Sequence, residues 1–392
     1  MKLSVFTLNV WGLKFVGKNR SARIKALADA LLGNNYDVIC LQELWCEEDY
    51  KYLKETCKNI FRCIHYFHSG MLGSGMCIMS RYPVIDIHYH PYLLNGYLHM
   101  IFHGDWFGGK GIGLCRINVN GLIVDVFTTH LHACYDPSND KYERHRIVQA
   151  FEVANFVRIT SVGADLSILA GDLNCEPGDI CYKLIQLGAN IKDCYSTCMT
   201  NEIEYTFNHP RNSYKNSKEP KSRLDFILYK SSKNKLVHVR EHRYSLPSRV
   251  PDNDFSYSDH EPIEAVFEIT SKILELDGES DNNDKELKSR HELLNVIQHS
   301  QNKFNDHLVN EQIFSYTFFT VSLFSLLFAI CILWFLPFGE TNIIFVSVVM
   351  AIFLCIFILT CVYILVIKCI EKNCIRGSYN QMKTVFNDHI PF

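Results

Sequence analysis

The chain has 392 residues, 48% of them hydrophobic, and a formal net charge of −3. That balance lacks the basic surplus expected of a nucleic-acid binder, and the length suits one large domain or two ordinary ones. Sixteen cysteines include no Cys-x-x-Cys pair, and residues 1–9 turn polar too early for a secretory leader. The cysteines are therefore expected to be reduced, apolar fillers of a cytosol-facing protein.

Residues 2–10 alternate and predict a strand ending in Asn9-Val-Trp11. Ile24, Leu27, Ala28 and Leu31 recur at the helical period, so 20–32 is a helix, stopped by Gly33-Asn34-Asn35. A strand over 36–41 delivers Gln42-Glu43, and a helix is expected at 47–58. Residues 61–90 are strand-rich, with a Gly-Ser-Gly turn at 73–75, whereas 91–111 are aromatic, glycine-rich and histidine-rich. Strands at 112–119 and 122–129 join at Asn120-Gly121, a hairpin turn signal, and the second ends in His130-Leu-His132. A helix over 140–160 leads to the apolar run 166–170, which breaks at Gly171 and presents Asp172 and Asn174. Two apart on an extended backbone, these side chains would point the same way. A helix follows Pro177 to about residue 187, and 205–222 is a polar loop. Strands are expected at 222–229 and 234–243, then a loop ending in Ser258-Asp259-His260-Glu-Pro262, and a closing strand over 265–269.

Composition then changes. Residues 271–312 are polar with a thin apolar stripe and predict a linker and an amphipathic helix. Residues 313–338 and 343–367 contain no charged side chain, and each is long enough for a bilayer core, which needs about 20 residues. With the turn at 339–342 they predict a two-helix transmembrane hairpin, and its helices could pair in a homodimer. The tail, 368–392, carries Lys368, Lys372, Arg376 and Lys383. Positive charge stays cytosolic, so tail and N-terminal domain are both expected to face the cytosol; which membrane holds them is open.

The strand ends collect Asn9, Glu43, His130, Asp172 with Asn174, and Asp259-His260, with Asp225 on its own strand. Polar groups only where apolar strands stop are how a site is built on a rigid sheet. Thr7-Leu-Asn9-x-Trp11, Leu41-Gln-Glu43, Thr129-His130-Leu-His132, Gly171-Asp172-Leu-Asn174, Arg223-Leu-Asp225-Phe and Ser258-Asp259-His260-Glu resemble the endonuclease/exonuclease/phosphatase superfamily, in its order, over residues 1–270. Leu94-Asn-Gly-Tyr97, His103-Gly-Asp105-Trp-Phe and the C-terminal pair of apolar segments are similar to its neutral sphingomyelinase branch. The resemblance implies an α+β fold, a four-layer α/β/β/α sandwich with the site at one end, and cleavage of sphingomyelin at a bilayer to ceramide and phosphocholine.

On that reading a hard cation with oxygen ligands, Mg²⁺ with Mn²⁺ as a substitute, sits on Glu43 with Asn9 and Asp259. His260 is the general base, oriented by Asp225; Asp172 and Asn174 orient water and phosphoryl oxygens, and His130 assists the leaving alkoxide. His132 supports the site or makes a local structural bond. In 89–111 the aromatic payload is either a packed hairpin or a membrane-facing rim, and Asp105 and Lys110 pair or let Lys110 swing toward the carboxylates about Gly108-Gly109. Trp11, Tyr135 and Trp106 are candidates for cation–π contact with choline. Competing readings are a phospholipase C on lyso-phosphocholine lipids, another phosphodiesterase of the superfamily, and a catalytically dead membrane scaffold. A DNA-repair nuclease would be basic and soluble, and no nucleic-acid partner is expected.

Overall fold

The structure, a computed structural model, describes residues 1–198, 203–271, 280–335 and 340–387. It divides into two compact units, Met1–Val296 and Ile297–Phe392. The first holds the strands β1 (Lys2–Asn9), β2 (Val38–Gln42), β3 (Cys63–Tyr66), β4 (Cys77–Ser80), β5 (Val84–Pro91), β6 (Gly111–Val119), β7 (Leu122–His130), β8 (Leu166–Asp172), β9 (Lys192–Asp193), β10 (Asp225–Ser231), β11 (Lys235–Tyr244) and β12 (Ile263–Ser271). Its helices are α1 (Arg20–Gly33), α2 (Glu47–Cys57), α3 (Glu143–Thr160), α4 (Ile180–Gly188) and the single turn α5 (Cys194–Thr197). The strands form two six-stranded sheets, ordered β11-β12-β1-β2-β4-β3 and β5-β6-β7-β8-β10-β9.

Why the central strands read as unbroken apolar runs is clear from their two faces. Successive side chains of a strand point to opposite sides. Leu3 and Val5 of β1, with Val38 and Cys40 of β2, enter one core together with Val124, Val126, Ile168, Ala170 and Ile227 of the other sheet. The alternate residues, Phe6, Leu8, Ile39 and Leu41, enter a second core with Ile24, Leu27, Leu31 and Leu53 of α1 and α2. On the far side, Phe156 of α3 packs against Phe127 of β7, their ring centroids 6.0 Å apart. The result is the expected four-layer sandwich of helices, sheet, sheet and helices, with strands buried on both faces. The β6–β7 turn is as predicted: Asn120 and Gly121 both have positive φ, at 53° and 93°, which a two-residue hairpin of that type requires.

One strand end and two short elements depart most from the sequence reading. β8 does not break at Gly171 but runs through it to Asp172. Glycine stands there because a Cβ would lie 2.1 Å from the Thr129 carbonyl oxygen of the neighbouring parallel strand. β9 and α5 went unpredicted; elements of two and four residues are too short to show a period.

At the C-terminus the predicted linker, amphipathic helix and first apolar segment overlap one continuous helix, α6 (Ser280–Phe335), of 56 residues. Residues 272–279 and 336–339 lie outside the described residues. Of the turn predicted at 339–342, residue 339 lies outside the described residues and 340–342 are helical, because Glu340 already opens α7 (Glu340–Val362). A π-helical turn (Tyr363–Ile367) leads into α8 (Lys368–Asn387). Among the described residues one helical run, Ile344–Val385, is long and apolar enough to cross a membrane; Tyr316–Cys331 is apolar but shorter.

Candidate active site

The inward-facing residues between the two sheets change character rung by rung. Apolar rungs at Val5, Val126 and Ile168 give way to a polar one, in which Gln42 Nε2 donates to Thr7 Oγ1 at 3.1 Å and to Thr128 Oγ1 at 3.0 Å. The last rung carries the chemistry. Register pairs His130 with Asp172 and Asp172 with Asp225, so β7, β8 and β10 present these three side by side. β1 brings Asn9 to the same level from the opposite sheet, and the segment before β12, antiparallel to β1, brings Asp259 and His260.

Asp172 is the hub. Its Oδ2 accepts from Asn9 Nδ2 at 2.9 Å and lies 3.6 Å from His130 Nε2 and 3.9 Å from His260 Nε2. Its Oδ1 accepts from the Asn174 backbone N–H at 2.9 Å. Burial, with the neighbouring Asp225 charge, pushes the Asp172 carboxyl up to about 7. His260 Nδ1 is 2.8 Å from Asp225 Oδ2, so its other nitrogen faces the site. Burial opposes a charge on this ring, but Asp225, Asp172 and Asp259 outweigh it and hold the imidazole well above its usual range.

Asn9 Nδ2 also donates to Glu43 Oε1 at 3.0 Å, while its Oδ1 accepts from the Trp11 N–H. Asn9 thus turns its amide nitrogen to the carboxylates and orients them, where the sequence reading has it as a metal ligand. Asn174 differs too. It has φ 45°, so the chain turns after Asp172, and its side-chain amide donates to Leu131 O at 3.0 Å instead of lying parallel to Asp172. Trp11 and Glu43 share this left-handed backbone, at φ 48° and 58°. Such conformations are uncommon outside glycine and concentrate at functional sites.

Lys110 and Asp105 do pair, at 2.8 Å, both buried. The Lys110 ammonium also lies 3.3 Å from His130 Nε2 and 3.2 Å from Leu131 O, so it bridges Asp105 to the catalytic rung. Burial and then the Lys110 charge hold His130 well below the usual imidazole range. Asp105 also accepts a hydrogen bond from Tyr135 OH. Burial would raise its carboxyl, but Lys110 and His132 outweigh that and hold it low. His132 stacks on Tyr142 at 3.9 Å, its Nδ1 2.8 Å from Ala133 O and its Nε2 3.6 Å from Asp105 Oδ2. It stands behind Asp105, away from the rung. Burial takes its ring down to about 3.

The carboxylates fit a hard divalent cation. Glu43 Oε2 is buried without a hydrogen-bond partner, and burial pushes Asp259 up to about 6. Ligand atoms of Asp172, Asp225 and His260 lie within 4.8 Å of one another. The Asp225–His260 bond already commits two of those three to each other. The oxygens left for a cation are those of Glu43, Asp172 and Asp259, a donor set that suits Mg²⁺ or Mn²⁺.

Sequence reasoning missed Arg23. It is fully buried and donates to the carbonyls of Val10, Trp11, Lys18 and Tyr257, tying the loop after Asn9 to the loop before Asp259. Its place on the buried stripe of α1, beside Ile24 and Leu27, is the one signal it left. Segment 89–111 divides between its two readings. Tyr92, Leu94 and Tyr97 are buried, while Leu93, Ile101, Phe102 and Trp106 are exposed. Of the choline candidates, Trp11 already has the Arg23 guanidinium 5.1 Å from its ring centre, and Tyr135 stacks on His103 at 4.0 Å.

Residues 6–260 match the Endonuclease/Exonuclease/phosphatase family. A Drosophila melanogaster protein named, provisionally, a neutral sphingomyelinase is 40% identical over 277 residues, covering 69% of this chain and 61% of that protein. Sphingomyelin phosphodiesterase 2 of Homo sapiens is 34% identical over 274 residues, covering 68% of this chain and 64% of its own length. The chain therefore spans less than two thirds of either relative. Among solved structures, a beta toxin of Staphylococcus aureus with bound magnesium ions superimposes with a TM-score of 0.53 at 21% identity, over 68% of this chain and 99% of the toxin. That likeness is one of fold.

Proposed function

The chain belongs to the Endonuclease/Exonuclease/phosphatase family, and we propose that it is a membrane-anchored, Mg²⁺-dependent phosphodiesterase that hydrolyses sphingomyelin to ceramide and phosphocholine. The observation that carries the reading is the polar rung: an Asp225-oriented His260 and a Lys110-contacted His130 stand on either side of Asp172 Oδ2, over a cluster of carboxylates. The names of the similar proteins support the substrate.

Water attacks phosphorus, the bond to the ceramide oxygen breaks, and the departing alkoxide, stabilised on the Lys110–His130 side, is protonated there from solvent and leaves as the alcohol. His260 takes the water's proton at Nε2, and Asp225 fixes the tautomer through Nδ1 and stabilises the imidazolium. Asp172, between the two imidazoles, orients the water. Asn174 holds the β7 end at Leu131, the carbonyl that also receives Lys110. Lys110 and His130 face the phosphoryl or leaving oxygen, where a cation and a neutral donor stabilise the charge that develops. Asp105, His132 and Tyr135 hold Lys110 in place, and release of the Asp105 contact would let it swing about Gly108-Gly109. Glu43 and Asp259 would hold a divalent cation, with Asn9 keeping them in register; such an ion would supply positive charge at the phosphoryl oxygens and offset the acids that raise the His260 ring.

The two apolar C-terminal segments form a membrane hairpin that keeps the domain on the cytosolic face, and they can pair in a homodimer. The test is phosphocholine release from sphingomyelin in mixed micelles by the full chain, with and without Mg²⁺ after chelation. Metal-dependent release, lost in Glu43→Gln with an unchanged melting temperature, supports the reading. No release at any Mg²⁺ or Mn²⁺ concentration overturns it.

A further inference from the structure

The loop between β1 and α1 displays apolar side chains that nothing in the described structure covers. Phe15 is 96% exposed and Val16 61% exposed. The loop is not a loose one. Val16 N–H and Gly17 N–H both bond to Leu13 O, at 3.3 and 2.9 Å, closing a turn beneath Phe15. Glycine is needed at 17, because a Cβ there would lie 2.5 Å from Trp11 O. Arg23 grips both stems, donating to Trp11 O and to Lys18 O, each at 2.8 Å. A buried arginine thus holds an aromatic tip out in water.

This tip belongs to a continuous rim. Gly12 N–H bonds to Glu43 O at 3.0 Å, which joins the loop to the metal-site segment. Two residues on, the Trp45 ring lies where a Cβ on Gly75 or on Gly108 would meet it, at 3.1 and 3.3 Å. Met71 N–H in turn bonds to Phe107 O at 3.1 Å. Three neighbouring loops around one end of the sandwich therefore end in exposed apolar side chains: Phe15 and Val16, Met71, and Ile101 and Phe102. Lys14 and Lys18 flank Phe15, both exposed. An aromatic tip between lysines suits the boundary between acyl chains and anionic headgroups. The same chain carries a helical run apolar enough to cross a membrane, so a bilayer is the surface on hand.

We propose that the loop Leu13–Lys18 is a preformed membrane finger, which enters the headgroup layer by Phe15 and Val16 and seats the mouth of the site on the bilayer. The inference rests on the reading of the protein as a lipid phosphodiesterase. It adds an anchoring point beyond segment 89–111, held by Arg23.

Two measurements on the full chain, reconstituted in phosphatidylcholine–phosphatidylserine vesicles, test it. Phe15→Trp adds one indole to the wild-type emission. That added emission should be quenched by bromine-labelled acyl chains and shielded from aqueous iodide. Added emission open to iodide and untouched by bromolipid overturns the proposal. The double change Phe15→Ser with Val16→Ser should lower turnover of vesicle sphingomyelin by roughly tenfold, the scale expected for losing one large apolar contact. Turnover of a monomeric short-chain analogue and the melting temperature should stay unchanged. An equal loss on both substrates assigns the loop a merely structural role and overturns it. If the wild type hydrolyses neither substrate, the functional reading falls, and the bromolipid result alone decides whether the finger enters the bilayer.

Discussion

The sharpest test of the mechanism is Asp225→Asn. Asp225 is buried, one oxygen accepts from His260 Nδ1 at 2.8 Å, and the other has no hydrogen-bond partner. An asparagine fits the same space but removes the charge. If its oxygen still faces His260, the bond remains but the negative charge behind it is gone. If it turns, it meets the ring with a donor and reverses the tautomer. Either way the imidazolium loses a charge-assisted hydrogen bond worth about 1.5–3 kcal/mol, which is roughly ten- to hundredfold in rate. Reversal of the tautomer adds to that loss. A full removal, His260→Ala, should cost about 10²–10⁴-fold, the usual worth of general acid–base catalysis. Because the two residues act as one unit, the double variant should be no slower than His260→Ala alone. Asp225 raises the His260 ring, so in Asp225→Asn the ring sheds its proton at lower pH and the acidic limb of the pH–rate profile should move down. The assay is phosphocholine release from mixed micelles from acid to alkaline pH, with melting curves as the control on folding. A variant with wild-type rate and an unmoved acidic limb would refute the reasoning. So would a double variant whose loss is the product of the two single losses.

Gly171→Ala places a Cβ 2.1 Å from the Thr129 carbonyl, backbone that cannot swing aside. Overpacking of this kind costs typically 1–3 kcal/mol or more, so the melting temperature and activity should fall together; a variant as stable as wild type would show that the β7–β8 spacing is slacker than described. His242 is buried with neither ring nitrogen hydrogen-bonded, and burial holds it down at about 4. The unfolded chain takes up that proton near the ordinary value and the folded one does not, so this stabilisation is complete above pH 6.5 and is lost as pH falls toward 4. The difference between about 4 and the ordinary imidazole value of 6.5 amounts to about 3 kcal/mol. Urea midpoints of His242→Gln should therefore vary less with pH over this window than those of the wild type; equal slopes would count against a neutral buried ring.

What the sequence determined by itself was the set of strand ends. Apolar runs of strand length, each stopping at an acid, an amide or an imidazole, mark where a two-sided buried strand meets solvent, because only the last inward rung can carry a polar group. Glu43, His130 and Asp172 stand out that way; Asp225 opens its strand and His260 ends a loop, and the four-layer sandwich is what the family resemblance implies, not what the runs alone dictate. Tertiary structure decided how they face one another. The left-handed backbone at Trp11, Glu43 and Asn174 bends each chain out of the extended form that a period-two reading assumes, which is why Asn174 leaves the line of Asp172. The contact of Lys110 with His130 spans 20 residues and a loop without period. Arg23 sits at a helical core position, yet what it grips are four backbone carbonyls, from the loop after β1 and the loop before β12. Carbonyls carry no residue identity, so no pattern of side chains could announce that bond; it exists only once the sheets have packed and the loop ends have met.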